Sequence, residues 1–210
     1  MEVIVKRIIN KPIDSNSFIL YQQTQNNCIV IDPGTKDCNE LFEFFGKNHL
    51  KPDLIVLTHE HFDHIWGVNK LKDTFDCKIV CSGLCSGKIS DKKKNMSLFY
   101  DQTGFQSYSG DIIVEEINYV LDWNDVKIEF IETKGHTEGS ICLVVSDMLF
   151  TGDTMIMNHK TVTKFPGGSK KDLSGSLNLL FLKLKGRNLR VFPGHEEPFE
   201  FDKSIISDFI

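Results

Sequence analysis

Leu54-Ile55-Val56-Leu57-Thr58-His59-Glu60-His61-Phe62-Asp63-His64 is the stretch whose reading decides the fold. Leu54 to Leu57 form an apolar run of strand length and read as a buried strand. The chain then leaves that strand and presents three imidazoles and, besides Glu60, the carboxylate of Asp63 between His59 and His64. His59 and His61 are two apart, so in a locally extended segment both point one way. Asp63 and His64 are adjacent and are expected to diverge. One metal ion cannot comfortably take all four from so short a loop. Two neighbouring ions can, with His59 and His61 on one and Asp63 and His64 on the other. The competing reading is a polar surface turn with surplus histidine. Clustered His and Asp at a strand end argue against it, because such clusters serve metals or catalysis.

Two such ions need further nitrogen and oxygen donors. Three candidates follow downstream, each at the end of an apolar run or in a glycine-flanked turn. His136 stands in Gly135-His136-Thr137-Glu138-Gly139-Ser140, Asp153 in Leu149-Phe150-Thr151-Gly152-Asp153-Thr154, and His195 in Val191-Phe192-Pro193-Gly194-His195. Glycine beside each lets the backbone turn tightly toward an ion. Taken singly, each is no more than a turn. With the first stretch they give the donor order His-x-His-x-Asp-His, His, Asp, His.

In this order and at these intervals the sequence resembles the metallo-β-lactamase-fold hydrolases, and within them the glyoxalase II-like (hydroxyacylglutathione hydrolase-like) proteins. The resemblance runs from the first strand to the segment after His195. It implies an α/β fold, a four-layer αβ/βα sandwich of two mixed β-sheets with helices outside and metals at the edge between the sheets. It puts His59, His61 and His136 on one metal and Asp63, His64 and His195 on the other, with Asp153 bridging both. The cofactors implied are two divalent ions, zinc first, with iron or manganese as alternatives. Two ions about 3.5–4 Å apart share a water and lower its pKa to about 7, which implies hydrolysis of a thioester or related acyl ester by a bridging hydroxide. Asp63 then orients that hydroxide as well as binding its ion, and is the expected catalytic residue.

Short members of the branch usually carry G-R-x-D ahead of F-P-G-G. Here the stretch is Thr161-Val162-Thr163-Lys164-Phe165-Pro166-Gly167-Gly168, without that Arg and Asp. Lys164 is the cation left to meet an anionic substrate group, although a plain surface lysine is the simpler reading. His159, in the same loop, is not expected to be a ligand because the donor set is already full. Only fifteen residues follow His195, so the C-terminal helical domain of full-length glyoxalase II is not expected. Two other reactions use the same scaffold. One is a mononuclear iron persulfide dioxygenase, with His59, His136 and Asp153 as the facial triad. The other is a phosphodiesterase. β-Lactamase action is disfavoured, because the zinc lactamases most like this layout usually have Cys where Asp153 stands.

The chain of 210 residues is long enough for one domain with a sizeable core. A net charge of −5 argues against nucleic acid or an anionic membrane as partner, leaving a small-molecule substrate. The stretch Met1-Glu2-Val3-Ile4-Val5-Lys6-Arg7 reads as a first strand rather than a signal peptide, and no apolar run has membrane-spanning length. A cytoplasmic enzyme is expected; the sequence leaves its oligomeric state open. Cys28, Cys38, Cys77, Cys81, Cys85 and Cys142 are expected to be free thiols, with Cys28 and Cys142 in the core. The spacing of Cys77, Cys81 and Cys85 crosses a strand and a turn and does not align them on a metal.

Strands are expected over Glu2–Ile9, Ser17–Tyr21, Cys28–Ile31, Lys78–Cys81, Ile112–Ile117, Val126–Glu132, Ile141–Val145, Met148–Thr151 and Leu189–Phe192. Helices are expected from a cap at Asp37 or Asn39 through Asn48, over Trp66–Phe75 and over Lys170–Lys185. Asp32, in an Asp-Pro-Gly turn, is expected to accept hydrogen bonds rather than bind metal, and His49 to end a helix. Ser90–Asn95 reads as a solvated face. Residues 96–109, with Phe99, Tyr100, Phe105 and Tyr108, read equally as an aromatic lid or as cover for the core. No repeat is present; the organisation is two strand-rich halves, each closed by helices.

Overall fold

The computed structural model describes residues 2–115, 119–202 and 209. It divides into two compact units, residues 1–113 and 114–210. In the first unit β1 (Ile4–Ile9), β2 (Asn16–Tyr21) and β3 (Asn27–Ile31) form an antiparallel meander. Then α1 (Asn39–Asn48) leads to β4 (Lys51–Val56), parallel to β3. Next, α2 (Phe62–Ile65) and α3 (Val68–Phe75) lead to β5 (Lys78–Ser82), parallel to β4. The switch from hairpin to helical connections is what allows parallel pairing. After β5 come α4 (Gly83–Ile89), α5 (Ser97–Asp101) and the edge strand β6 (Ile112–Val114), giving the order β1-β2-β3-β4-β5-β6. Leu54, Ile55 and Val56 are all buried, so both faces of β4 are covered, as its unbroken apolar run requires. On α1, Leu41 and Phe45 point inward, and the rings of Phe45 and Phe75 meet edge-on at 5.7 Å, tying α1 to α3.

The second unit carries β7 (Val120–Trp123), β8 (Val126–Glu132), β9 (Ile141–Val145), β10 (Met148–Gly152), α6 (Lys170–Lys183), β11 (Arg190–Pro193) and β12 (Phe199–Glu200). Its sheet order is β12-β11-β10-β9-β8-β7. Among its described residues only β10 and β11 pair in parallel, and α6 is the crossover between them. Ser169 caps α6 by accepting from the Asp172 amide, and Leu173, Leu177, Leu180, Phe181 and Leu184 are all buried, as their spacing predicts.

The structure differs from the expectations at several points. Neither Asp37 nor Asn39 caps α1 through its side chain: the Asn39 amide donates to the Asp37 carboxylate at 2.8 Å, and the N-cap is Cys38 in the left-handed region. The helix expected over Trp66–Phe75 is observed as α3 over Val68–Phe75, and a separate single turn, α2, precedes it inside the histidine stretch. Asn95 does not belong to a solvated face; it is buried and donates to the carbonyls of Ile89 and Phe105. Strand β7 was not anticipated because its four residues are too few to show periodicity. The Asn124-Asp125 turn that joins it to β8, with φ of 49° and 63°, is the mirror-image type that hairpins favour. The strand expected over Ile112–Ile117 is observed over Ile112–Val114; residues 116 and 117 lie outside the described residues.

All six cysteines are free and buried. Burial pushes the Cys38 and Cys142 thiols up to about 12 and Cys77 to about 11, and raises Cys85. Held protonated, they are poor metal ligands. Among the described residues no helix is long and apolar enough to cross a membrane.

Candidate metal centre

The first unit delivers its donors where β4 ends. Asp32, just past β3, is 1% exposed and organises that end. Its Oδ1 accepts from the Thr58 amide at 2.8 Å, and its Oδ2 accepts from the Thr58 hydroxyl and from His64 Nδ1 at 3.1 Å. Two ring tautomers follow from these bonds. A carboxylate only accepts, so His64 carries its proton on Nδ1. The Thr58 hydroxyl has spent its single proton on Asp32, so toward His59 Nδ1, at 3.0 Å, it accepts, and His59 too is protonated on Nδ1. In both rings Nε2 is therefore the nitrogen with the lone pair that a metal takes. The expectation that Asp32 is an acceptor is met.

His61 is extended (φ −67°, ψ 142°) at the N-cap of α2. The rings of His59 and His61 lie 4.9 Å apart, and those of His59 and His64 4.3 Å apart. Asp63 and His64, expected to diverge, do not: Asp63 Oδ2 is 3.6 Å from His64 Nε2. Both residues lie in the single turn of α2, so neighbouring side chains fan out by a helical step rather than alternating as in a strand. The loop backbone is clamped. Ser15 Oγ donates to the Asp63 carbonyl, and a Cβ on Gly34 would stand 1.8 Å from that same oxygen, so only glycine fits. Glu60 is 2% exposed and pairs with Lys88 of α4 at 2.8 Å.

In the second unit the donors come from three separate places. His136 stands in the β8–β9 turn, 3% exposed. Gly135 beside it has φ 148°, and a Cβ there would meet Leu173 Cα at 2.4 Å. His136 Nδ1 donates to the Val162 carbonyl at 2.8 Å, again leaving Nε2 as the acceptor. Asp153 follows β10 and His195 follows β11. The Gly194 amide bonds the Gly152 carbonyl at 2.8 Å and holds those two strand ends together. As a result Asp153 Oδ2 lies 3.5 Å from His136 Nε2 and 3.6 Å from His195 Nε2. His159, not expected to be a ligand, is exposed and 3.6 Å from Glu196. Lys164 is exposed, two residues from Val162.

Each unit thus gathers its own share of the predicted residues: His59, His61, Asp63 and His64 in the first, His136, Asp153 and His195 in the second. Nitrogen and carboxylate oxygen donors, with histidines oriented through their far nitrogens, fit divalent ions such as zinc. Sequence reasoning did not find Thr58 and Val162 as orienting groups. Thr58 was visible as the residue before His59, whereas Val162 acts through its main chain and leaves no side-chain signal.

The profile of the metallo-beta-lactamase superfamily matches residues 11–195. The chain belongs to the metallo-beta-lactamase superfamily. It has that fold, with two mixed β-sheets flanked by helices, and its His and Asp clusters are those of a superfamily that binds divalent metal ions. A Methanocaldococcus jannaschii protein named "Probable metallo-hydrolase" is 29% identical over 202 residues, 87% of this chain and 88% of the relative. The hydroxyacylglutathione hydrolase of Aeromonas hydrophila is 30% identical over 148 residues, 70% of this chain but 50% of that enzyme. Among solved structures, BLEG-1 B3 metallo-beta-lactamase superposes with a TM-score of 0.87 at 25% identity, covering 98% of this chain and 95% of that one. This metallo-beta-lactamase superfamily member is thus similar over most of its length to a probable metallo-hydrolase and to a solved metallo-beta-lactamase.

Proposed function

We propose that this chain is a binuclear metal-dependent hydrolase that cleaves a thioester or related acyl ester. His59, His61 and His136 hold one divalent ion, and Asp63, His64 and His195 hold the other. Asp153 is shared, and zinc is the favoured metal. The observation that carries the reading is Asp153 Oδ2, 3.5 Å from His136 Nε2 and 3.6 Å from His195 Nε2. A carboxylate between two imidazoles, each assigned to a different ion, suits a shared ligand. The pinned Nδ1 atoms of His59, His64 and His136 support it, since a metal-binding histidine commonly gives its other N–H to a carboxylate, carbonyl or similar group.

When bound, such ions supply an activated water near neutral pH and stabilise negative charge on the acyl oxygen. Asp63 orients the attacking water by accepting its hydrogen bond. Lys164 meets an anionic group of the substrate. A thiolate departs with little help from a proton donor, which favours thioesters over amides. The likeness to the hydroxyacylglutathione hydrolase of A. hydrophila supports the thioester, and the net charge of −5 supports a small molecule over nucleic acid or an anionic membrane.

The test is elemental analysis of the purified protein followed by a panel of thioesters, lactones, phosphodiesters and a β-lactam. The expected result is about two zinc equivalents, the stoichiometry of a two-metal site, with thioesters turned over best. A single iron together with oxygen consumption would replace this reading by the dioxygenase one. Absence of thioester turnover with both sites filled would sink the thioester assignment.

A further inference from the structure

Phe62 stands between His61 and Asp63, and its ring starts a cluster that grows away from the donor stretch. It meets Tyr100 at 4.8 Å and Trp66 at 5.4 Å; Trp66 in turn meets Tyr100 edge-on at 5.5 Å and stacks on Phe105 at 6.1 Å, 4° from parallel. Phe62 is 8% exposed, whereas Tyr100 is 44% and Phe99 67% exposed. The buried base of the cluster therefore lies in the donor stretch, and its solvent face is carried by α5. That face is costly to leave open, because each large ring brings substantial apolar area to water.

The segment bearing these rings is held on several sides. The Asn95 side chain donates to Ile89 O and Phe105 O and accepts from the Ser97 amide. Ser97 Oγ accepts from the Phe105 amide, and Asp101 Oδ1 takes the amides of Thr103 and Gly104. The Asn95 carbonyl also accepts from the Phe62 amide at 2.9 Å, which links the segment to the donor stretch itself. A segment so bonded is built as a wall rather than as a swinging lid.

We infer that this wall of Phe62, Trp66 and Tyr100 receives an aryl-bearing acyl group of the substrate, so that arylacyl thioesters are favoured over acetyl ones. The inference rests on the hydrolase reading above and adds the substrate class. Continuity argues for the occupant: the wall begins on Phe62, flanked in the chain by two proposed ligands, and its amide bonds the segment that carries Tyr100, so the substrate of that centre is the occupant assigned to it. Offset and edge-to-face packing select a ring over a plain chain.

Binding and turnover test it separately, on the metal-loaded protein. In NMR, phenylacetate is expected to shift the Trp66 indole signal while acetate does not. Trp123, 5% exposed in the other unit, serves as the internal reference. In turnover, a phenylacetyl thioester is expected to exceed the acetyl thioester of the same thiol by about tenfold or more in kcat/KM, the range a filled apolar pocket gives. Tyr100→Ala should pull that ratio down, and Tyr100→Leu, which keeps bulk without the ring, should fall between. Leu179→Ala, an exposed position on α6, should leave the ratio as it is. Equal effects of phenylacetate and acetate, or a ratio unmoved by both Tyr100 variants, would overturn the inference. So would a dimer in sedimentation that Tyr100→Ala dissociates, since the wall would then be a self-contact. If phenylacetate still shifts Trp66 and Tyr100→Ala abolishes the shift while no thioester is cleaved, the wall stands and the thioester reading falls.

Discussion

The two units gather their candidate donors in opposite ways. The first packs four donors into six consecutive residues, His59 to His64, on one loop and one turn of helix. The second collects three donors from a hairpin turn and the ends of two strands, with sixteen residues between His136 and Asp153 and forty-one between Asp153 and His195. Their support differs too. In the first unit side chains do the orienting: Asp32 holds His64, and Thr58 holds His59. In the second a main-chain carbonyl holds His136, and Asp153 lies near both histidines. A contiguous set is fixed by local geometry and trimmed by a few nearby side chains. A dispersed set depends on strand register and cannot be tuned by one orienting residue.

The hardest test of that contrast is Asp153→Ala. It should abolish turnover and empty both metal sites, because the dispersed set shares this one carboxylate. Metal analysis that finds one ion gone and the other retained at full affinity would count against sharing. Next comes Asp32→Ala, which strips the acceptor from Thr58 and His64 in a buried place. It should cost about 1–3 kcal/mol in urea unfolding, as a buried donor left without its acceptor does, and lower metal affinity about 10–100-fold. A variant as stable as the parent would mean that the first unit does not depend on its orienting side chains.

How much of this was legible follows the same division. The strand before His59 and the donors after it are read directly, since periodicity and residue type are local properties. The approach of Asp63 to His64 was misread, because a turn of helix beginning at Phe62 replaced an assumed extended loop. His136, Asp153 and His195 were legible as residues but not as a set without the family pattern, because their meeting depends on which strands pair.

A finer test compares Thr58→Val with Val162→Ala. Removing the Thr58 hydroxyl frees the His59 ring and should weaken metal binding about tenfold, the low end for orienting partners. Val162→Ala keeps the carbonyl that His136 uses, so metal affinity should not move and stability should stay within about 0.5 kcal/mol. Chelator competition on the two purified variants measures both, and a larger loss for Val162→Ala would break the distinction between side-chain and main-chain support. The smallest effect is expected at His49, the exposed left-handed C-cap of α1. His49→Ala should leave turnover unchanged in steady-state kinetics, and a marked loss would mean that the histidines of the first unit do not divide into donors and helix ends as described.

The sequence by itself determined the two strand-rich halves, the identity of every proposed donor and the burial of α6, because side-chain pattern and residue chemistry are written in each segment. Only the tertiary structure decided that Asp153 would lie within 3.6 Å of both His136 and His195. It alone fixed which ring nitrogens of His59, His64 and His136 face away from their hydrogen-bond partners. It also made the aromatic segment after α4 a fixed wall. Those outcomes rest on strand register and on hydrogen bonds between residues distant in the chain, several made by backbone groups that every amino acid carries alike.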